Sequence, residues 1–180
     1  PAINSCEILF VGALSFFPNV DGVLFFAREV LPLIQRRRPD VVFRVVGRQP
    51  PAEIQALHRP PQIEITGEVP DLEPWYRRAA ACVVPLRAGG GTRLKILEAM
   101  ALGRAVVSTP LGAEGIDAQP GRDLLMAETP PDLAGAISDL LDHPERARQL
   151  ALQARQLVEE KYAWSSIAES MLKMYRASVT

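Results

Sequence analysis

Cysteine and net charge are scarce in this sequence, and each shortage excludes a class of protein. Only two of the 180 residues are cysteines, Cys6 and Cys82, and neither has the CxxC spacing of a zinc or redox site. Two cysteines make no disulfide framework, so we expect a reducing compartment. The net charge of −1 gives no overall field that would attract nucleic acid or an anionic membrane, and we therefore expect no nucleic-acid partner.

Long apolar runs are absent as well. The longest apolar stretch, residues 8–17, is well short of the roughly 20 residues that a membrane-spanning helix needs, and no signal peptide precedes it. We therefore expect a soluble, cytoplasmic protein. The basic run of Arg36, Arg37 and Arg38 ends a predicted helix, where cations complement the helix dipole. Peripheral contact of this run with the inner face of a membrane is the alternative.

Two common nucleotide-binding motifs and all metal-ligand spacings are missing. There is no GxxxxGK phosphate loop followed by Ser or Thr, and residues 12–17 offer one glycine where the dinucleotide fingerprint GxGxxG has three. These absences argue against NAD, FAD and ATP hydrolysis. His58 and His143 stand alone beside prolines, and no cluster has the spacing of metal ligands, so we expect no metal and no other cofactor.

What the sequence does contain is a regular alternation of strand-like and helix-like segments. Short apolar runs end on Gly12, Gly47 and Gly67, and stretches with apolar residues at helical spacing lie between them. Continuous apolar runs are typical of strands buried on both faces. Strands separated by helices predict parallel βαβ units. We therefore predict one α/β domain over residues 1–180, a Rossmann-like doubly wound parallel sheet with helices on both faces.

The strongest local signal is the segment 85–100, where a strand is followed by a triple-glycine loop and a helix. Ligands of doubly wound folds bind outside the carboxyl ends of the strands, where the strand order reverses. Glycines let the backbone approach a ligand, and the unpaired N–H groups and dipole of the following helix attract anions. We therefore predict a phosphate or diphosphate site. Its residues are Gly89, Gly90, Gly91, Thr92, Arg93, Leu94 and Lys95.

Two cations in the first turn of that helix, Arg93 and Lys95, sharpen this prediction. Each opposes the helix dipole at a cost of roughly a few tenths of a kcal/mol, which a bound anion would offset. Glu98 follows on the same helix and could accept hydrogen bonds from ribose hydroxyls. The alternatives are a flexible loop with solvated basic residues and a surface glutamate in an ion pair.

Residues 95–108, KILEAMALGRAVVS, resemble the "lEAMA-G-PVV" signature of retaining GT-B glycosyltransferases of the group 1 family, glycosyltransferase family four. Further segments match the family in the expected order, at 10–12, 45–47, 65–72, 112–116 and 162–164. The resemblance covers essentially the whole chain. It implies transfer of a sugar from a UDP- or GDP-linked donor to an acceptor, with anomeric retention and without a bound metal.

The resemblance also implies roles for single residues, because the C-terminal half of the family binds the donor nucleotide. Glu98 falls on the second glutamate of the family's E-x7-E motif, which binds the donor ribose. Gly91 and Thr92 fall in the loop that meets the phosphates and the sugar. Independently of the resemblance, Glu114 follows a predicted strand and could border the donor sugar, with a loop or helix-cap role as the alternative. Recognition of the base would use backbone near Gly47, Arg48, Val69 and Pro70.

Three positions depart from the family pattern. Gly90 stands where the first glutamate of the E-x7-E motif would be, and the family's arginine after the first strand falls near Ala13, beside Gly12. The family's lysine falls on Asp21. Both usual phosphate cations are thus missing. We hypothesise that the two cations after the glycine loop replace them from the other side of the diphosphate.

The resemblance finally implies an N-terminal, acceptor-binding half that these residues do not include. Because the chain opens at Pro1, almost at the first predicted strand, we expect the donor-binding domain of a longer protein, inactive alone. Two other functions stay open. One is a non-catalytic domain that has lost donor binding, and the other is a GT-B-fold sugar-nucleotide epimerase.

Overall fold

A parallel sheet of six strands forms the centre of the protein, and helices flank it. The computed structural model describes residues 5–178. All strand pairings within the sheet are parallel, which confirms the predicted fold class. The strands are β1 (Glu7–Val11), β2 (Val42–Val46), β3 (Ile63–Gly67), β4 (Ala81–Val84), β5 (Val106–Ser108) and β6 (Leu125–Met126).

Helical segments connect the strands and form the C-terminal third of the chain. The α-helices are α1 (Phe17–Phe25), α2 (Leu31–Gln35), α3 (Ala52–Gln55), α4 (Glu73–Arg78), α5 (Leu94–Ala101), α6 (Pro130–Asp142), α7 (Pro144–Leu157) and α8 (Trp164–Ser178). A π-helical turn, Phe26–Val30, joins α1 to α2, and another, Val158–Tyr162, follows α7. A 3-10 turn, Leu111–Ala113, follows β5.

The sheet order β3-β2-β1-β4-β5-β6 places the point of strand reversal between β1 and β4. The chain builds outward from β1 to β3 on one side, then crosses back and builds from β4 to β6 on the other. Loops after β1 and β4 therefore leave the carboxyl edge of the sheet in opposite directions and open a crevice between them. This is the place where doubly wound folds bind their ligands.

Burial of both faces explains why the central strands are apolar without alternation. Ile8, Leu9 and Phe10 of β1 are at most 1% exposed, and every residue of β4 is buried. Burial also raises the pKa of the Cys82 thiol to about 12, so this cysteine is an inert core residue.

The first helical region is not one regular helix, although its apolar residues recur at helical spacing from Val20 to Arg38. It begins earlier, at Phe17, and the π-helical turn interrupts it before Pro32. Proline has no N–H to donate to the preceding turn, so a regular α-helical hydrogen bond is impossible there. A π-helical turn is one way for a helix to absorb such an irregularity.

Candidate functional site

Close backbone contacts build the β1 side of the crevice. The Gly12 N–H donates to the Val46 carbonyl over 3.0 Å, and the Leu14 N–H donates to the Arg48 carbonyl over 2.9 Å. A Cβ atom at Gly47 would overlap the carbonyl oxygen of Gly12, so only glycine fits there. The loops after β1 and β2 thus form one tightly packed unit, and the role of Gly47 in it was not predicted.

The glycine loop after β4 forms the opposite side. Gly89 and Gly91 have φ angles of +90° and +101°, a region that favours glycine. A Cβ atom at Gly89 would overlap the Pro18 ring, so the loop packs against the start of α1. Gly90 has no positive φ, and a Cβ atom there would have no neighbour within 4 Å. Residues 89–92 are exposed to solvent at the crevice.

Arg93 departs from the expectation of a cation that faces the ligand. Its side chain is 5% exposed, and its two terminal nitrogens donate to the carbonyls of Gly89, Gly90 and Leu111 at 2.9 to 3.1 Å. The guanidinium therefore braces the glycine loop against the 3-10 turn after β5. The carboxylate of Glu114, which is exposed, lies 3.7 Å from it. Arg93 precedes the first residue of α5 with a non-helical backbone, which turns its side chain back toward the loop.

Lys95 points in a different direction, across the crevice to the β1 side. Its Nζ donates to Oδ1 of Asn19 over 2.5 Å and lies 4.6 Å from the centre of the Phe10 ring. Burial lowers the pKa of Lys95 to about 8, and the charge of Arg93 adds to this effect. Among residues 5–178, no carboxylate forms an ion pair with this ammonium group. The charge of Glu98 raises the pKa of Lys95 in the opposite direction but does not outweigh burial. A half-buried cation without an ion-pair partner favours an anionic ligand.

Glu98 lies one turn further along α5 and has a partner that the sequence did not reveal. The hydroxyl of Tyr76 on α4 donates to its Oε2 over 3.3 Å. Tyr76 is fully buried, and burial raises the pKa of its phenol, so the hydroxyl keeps its proton and acts as a donor. The second oxygen of the exposed Glu98 carboxylate remains available for hydroxyl groups of a ligand.

The loop after β5 is held by a hydroxyl network that sequence reasoning also missed. Thr109 donates to the Leu86 carbonyl over 2.5 Å and accepts a hydrogen bond from the Gly112 N–H over 2.9 Å. Ser108 donates to the Val84 carbonyl over 3.1 Å. Both hydroxyls are buried, so they tie the ends of β4 and β5 together. The Ser-Thr pair at the end of a buried strand was the available signal.

The position of the family's missing lysine is occupied by a carboxylate with its own partner. Both oxygens of Asp21 accept hydrogen bonds from the Arg87 guanidinium, at 2.6 and 3.0 Å. The guanidinium also lies over the Phe25 ring, 4.4 Å from its centre. This pair links α1 to the β4 side, so Asp21 is bound by Arg87 while Lys95 is bound by Asn19.

The four residues predicted to lie near the base are brought to the same edge of the sheet. Gly47 and Arg48 follow β2, and Val69 and Pro70 follow β3. Because β2 and β3 are parallel neighbours, these loops lie side by side beyond their carboxyl ends. Ala13 follows β1 next to them, and its carbonyl accepts a hydrogen bond from Asn19.

Other features lie away from this crevice. A cavity of about 270 Å³ opens at the amino ends of β1, β4 and β5, the opposite edge of the sheet, between Ser5, Arg104 and α7. Over residues 5–178, no helix is both long and apolar enough to cross a membrane. The same residues contain no group of three or more His, Cys, Asp or Glu side chains that could hold a metal ion.

Comparison with known proteins gives a consistent result. The family model described as Glycosyl transferases group 1 matches residues 5–143. The D-inositol 3-phosphate glycosyltransferase of Rhodococcus erythropolis is 30% identical over 187 residues, which cover 94% of this chain and 40% of that protein. The chain thus spans less than half the length of this relative.

Solved structures show the same fold. Sucrose-phosphate synthase from Thermosynechococcus elongatus matches with a TM-score of 0.75 at 25% identity, over 99% of this chain and 46% of that one. HepE from Anabaena, solved in complex with UDP and glucose, matches with a TM-score of 0.78 at 15% identity, over 96% of this chain and 48% of that one. Because the family model covers more than half of the chain, this protein belongs to the Glycosyl transferases group 1 family.

Proposed function

We propose that this chain is the donor-binding half of a retaining glycosyltransferase and binds a nucleoside diphosphate sugar in the crevice between β1 and β4. The observation that carries the proposal is the ammonium group of Lys95, half-buried at the point of strand reversal without a carboxylate partner among residues 5–178. A nucleoside diphosphate supplies the negative charge that this position lacks. A UDP- or GDP-linked sugar is the expected donor.

The diphosphate would lie between Lys95 and the start of α5. No side chain caps the amino end of this helix, so its first N–H groups and its dipole are open to an anion. The exposed glycines before the helix let an anion approach the backbone closely. Arg93 contributes by bracing this loop rather than by direct contact, since its terminal nitrogens are already bonded to carbonyls.

The ribose would lie against Glu98, whose carboxylate is held by Tyr76. A carboxylate that accepts hydrogen bonds from ribose hydroxyls is the usual solution in dinucleotide-binding folds. The base would extend toward the loops after β2 and β3, with Gly47, Arg48, Val69 and Pro70. Glu114 lies at the other end of the site, near the loop that Arg93 braces, where a donor sugar would be placed. The cations of the chain itself would offset the charge of the diphosphate, so this proposal includes no metal.

A second, acceptor-binding half would complete the enzyme. The relatives that match this chain are about twice its length. Helix α8 also presents exposed apolar side chains, with Trp164 at 87% exposure and Met171, Leu172 and Met174 above half. Exposed apolar surface of this kind marks a contact with another protein surface. We propose that the missing half covers it and that transfer requires both halves.

The cellular location is proposed on two observations. Cys6 and Cys82 are both free thiols, which fits a reducing compartment such as the cytoplasm. Arg36 and Arg37 at the end of α2 are exposed, and they are the residues that a peripheral membrane contact would use.

Titration with nucleotides tests the donor site. UDP, GDP and ADP are added to the 180-residue chain, and amide NMR shifts are followed because the affinity of one half is expected to be low. We expect saturable shifts centred on residues 90–98 for one of the three. The Lys95→Met variant serves as the matched control and should lose most of this response. Shifts that are absent for all three nucleotides, also in a longer protein that includes the second half, would contradict the proposal.

A further inference from the structure

Asn19 is a polar residue buried in the wall of the crevice. It lies in the first turn of α1 and is 6% exposed. Its Nδ2 donates to the Ala13 carbonyl over 2.8 Å. Since a carbonyl can only accept, this bond fixes which way the amide group faces. Oδ1 is thereby turned toward Lys95 and accepts the hydrogen bond of its ammonium group over 2.5 Å.

Three contacts together fix the ammonium group of Lys95 in one place. Besides the bond to Asn19, Nζ faces the Phe10 ring, 4.6 Å from its centre. A Cβ atom at Gly12 would lie 2.9 Å from both Nζ of Lys95 and Nδ2 of Asn19, so the remaining space is filled. A lysine side chain has a long flexible stem, and only such contacts give it a defined position.

The chemistry of the partner matters as much as its position. An amide oxygen accepts a hydrogen bond but carries no net charge, so Asn19 does not neutralise the positive charge of Lys95. Glu98 acts on this charge from the same helix without forming an ion pair with it. A carboxylate in the same place would neutralise that charge. The nearest carboxylate on α1, Asp21, lies two residues further and is bound by Arg87 instead. The residue of α1 that binds Lys95 is therefore the neutral Asn19, and the acidic Asp21 binds Arg87 instead.

We infer that Asn19 is a positioning residue for donor binding, which holds the ammonium group of Lys95 in the crevice where the diphosphate binds. This inference rests on the proposed function. Asn19 acts through Lys95 and need not touch the donor. It also places a cation on the β1 side, where the family pattern has two and this chain has none. The ammonium group of Lys95, from a helix on the β4 side, lies next to Gly12 and Ala13.

The first test is the Asn19→Leu variant, which keeps the approximate size of the side chain and removes both hydrogen bonds. Binding is measured by NMR for UDP and GDP, with uridine and guanosine as the phosphate-free partners. We expect about tenfold weaker binding of the diphosphate and little change for the nucleoside. Gln35→Leu is the matched control, because Gln35 likewise donates to a backbone carbonyl, that of Val41, at the far end of the same helical region. It should bind both ligands as the original protein does.

A double-mutant cycle then shows whether Asn19 acts through Lys95. If it does, Asn19→Leu combined with Lys95→Met binds the diphosphate no more weakly than Lys95→Met alone. Additive losses would overturn the inference. The Asn19→Asp variant adds a second measurement and preserves the shape of the side chain. We expect the pKa of Lys95 to rise above its value of about 8, and diphosphate binding to weaken, since the new carboxylate neutralises the ammonium group.

Failure of the inference and failure of the proposed function are distinguishable. If Lys95→Met weakens diphosphate binding and Asn19→Leu does not, Asn19 has no positioning role and the proposed function stands. If Lys95→Met leaves diphosphate binding unchanged, the phosphate contact at the centre of the proposed function is wrong, and the inference is overturned with it.

The pKa of Lys95 in these variants can be measured from its own NMR signal, because the sequence contains only three lysines, Lys95, Lys161 and Lys173.

Discussion

The β1 side and the β4 side of the crevice are built differently. On the β1 side, backbone contacts between Gly12 and Gly47 leave no space for a side chain, and the polar group inside is the neutral amide of Asn19. On the β4 side, an exposed glycine loop is braced from behind by Arg93, and Lys95 extends from it across the crevice. The β1 side thus contributes a closely packed backbone surface, and the β4 side contributes the positive charge.

This comparison shows that a charged group can lie beside one loop of the site although its residue belongs to a distant segment of the sequence. The family resemblance puts one cation in the β1 loop and one on the following helix α1, where this chain has Ala13 and Asp21. Yet the ammonium group of Lys95 lies beside that loop, although its helix belongs to the β4 side. Arg93 and Lys95, two positions apart after the glycine loop, also differ from each other. The Arg93 guanidinium stabilises the loop through carbonyl groups, whereas the Lys95 ammonium group faces the crevice.

The largest expected effect concerns the shape of the β1 side. Gly47→Ala places a Cβ atom on the Gly12 carbonyl and must displace the β1 loop, so we expect a loss of about 3 kcal/mol in the free energy of unfolding. Urea unfolding followed by circular dichroism measures this loss. Gly90→Ala on the β4 side is the control and should stay within about 0.5 kcal/mol, because its Cβ atom has no close neighbour. Equal stability of the two variants would contradict the contrast between the sides.

The next effect separates the two cations of the β4 side. Lys95→Met should weaken UDP or GDP binding about 30-fold, equivalent to about 2 kcal/mol, without a comparable loss of stability. Arg93→Met should instead lower the free energy of unfolding by about 2 kcal/mol, because it removes the donors to three carbonyls. Calorimetric binding and urea unfolding of both variants test this. An Arg93→Met variant of unchanged stability with the larger loss of affinity would reverse the assignment.

The pH dependence of binding gives a smaller effect with a defined sign. Burial holds the pKa of Lys95 at about 8 in the free protein, and a neighbouring diphosphate would raise it. Above pH 8 the free protein has lost a proton that the complex keeps, so binding must take up this proton and the affinity falls as the pH rises. We expect roughly a tenfold loss of UDP or GDP affinity between pH 7 and pH 9. Lys95→Met should abolish this dependence, and an unchanged profile in the variant would refute its cause.

The smallest expected effect lies in the ribose contact. Tyr76→Phe removes the hydroxyl that donates to Glu98, so we expect about fivefold weaker binding of the ribonucleotide, equivalent to about 1 kcal/mol. The 2′-deoxy nucleotide provides the comparison, because part of the contact with Glu98 is already absent from it. An equal loss for both nucleotides would indicate that Tyr76 supports the fold of α4 rather than the ribose contact.

The fold and the location of the site follow from local patterns in the sequence. Buried strands such as 8–10 and 81–84 are recognisable from their apolar runs, and the triple glycine before α5 predicts the proposed phosphate loop. The directions in which side chains point are harder to predict from the sequence. Arg93 turns back because of its backbone angles before the helix, which the residue pattern does not contain. Asn19 and Lys95 are 76 positions apart, and only the closed fold brings them together.

The most direct measurement follows the 13Cε signals of the three lysines through a pH titration, with and without saturating UDP or GDP. In the free protein we expect the Lys95 signal to titrate near pH 8 and the Lys161 signal to titrate at higher pH, since the hydrogen bond to Asp117 raises the pKa of Lys161. Addition of the nucleotide should raise the pKa of Lys95 alone. A Lys95 signal that does not change while the nucleotide binds would contradict the proposed contact between this lysine and the diphosphate.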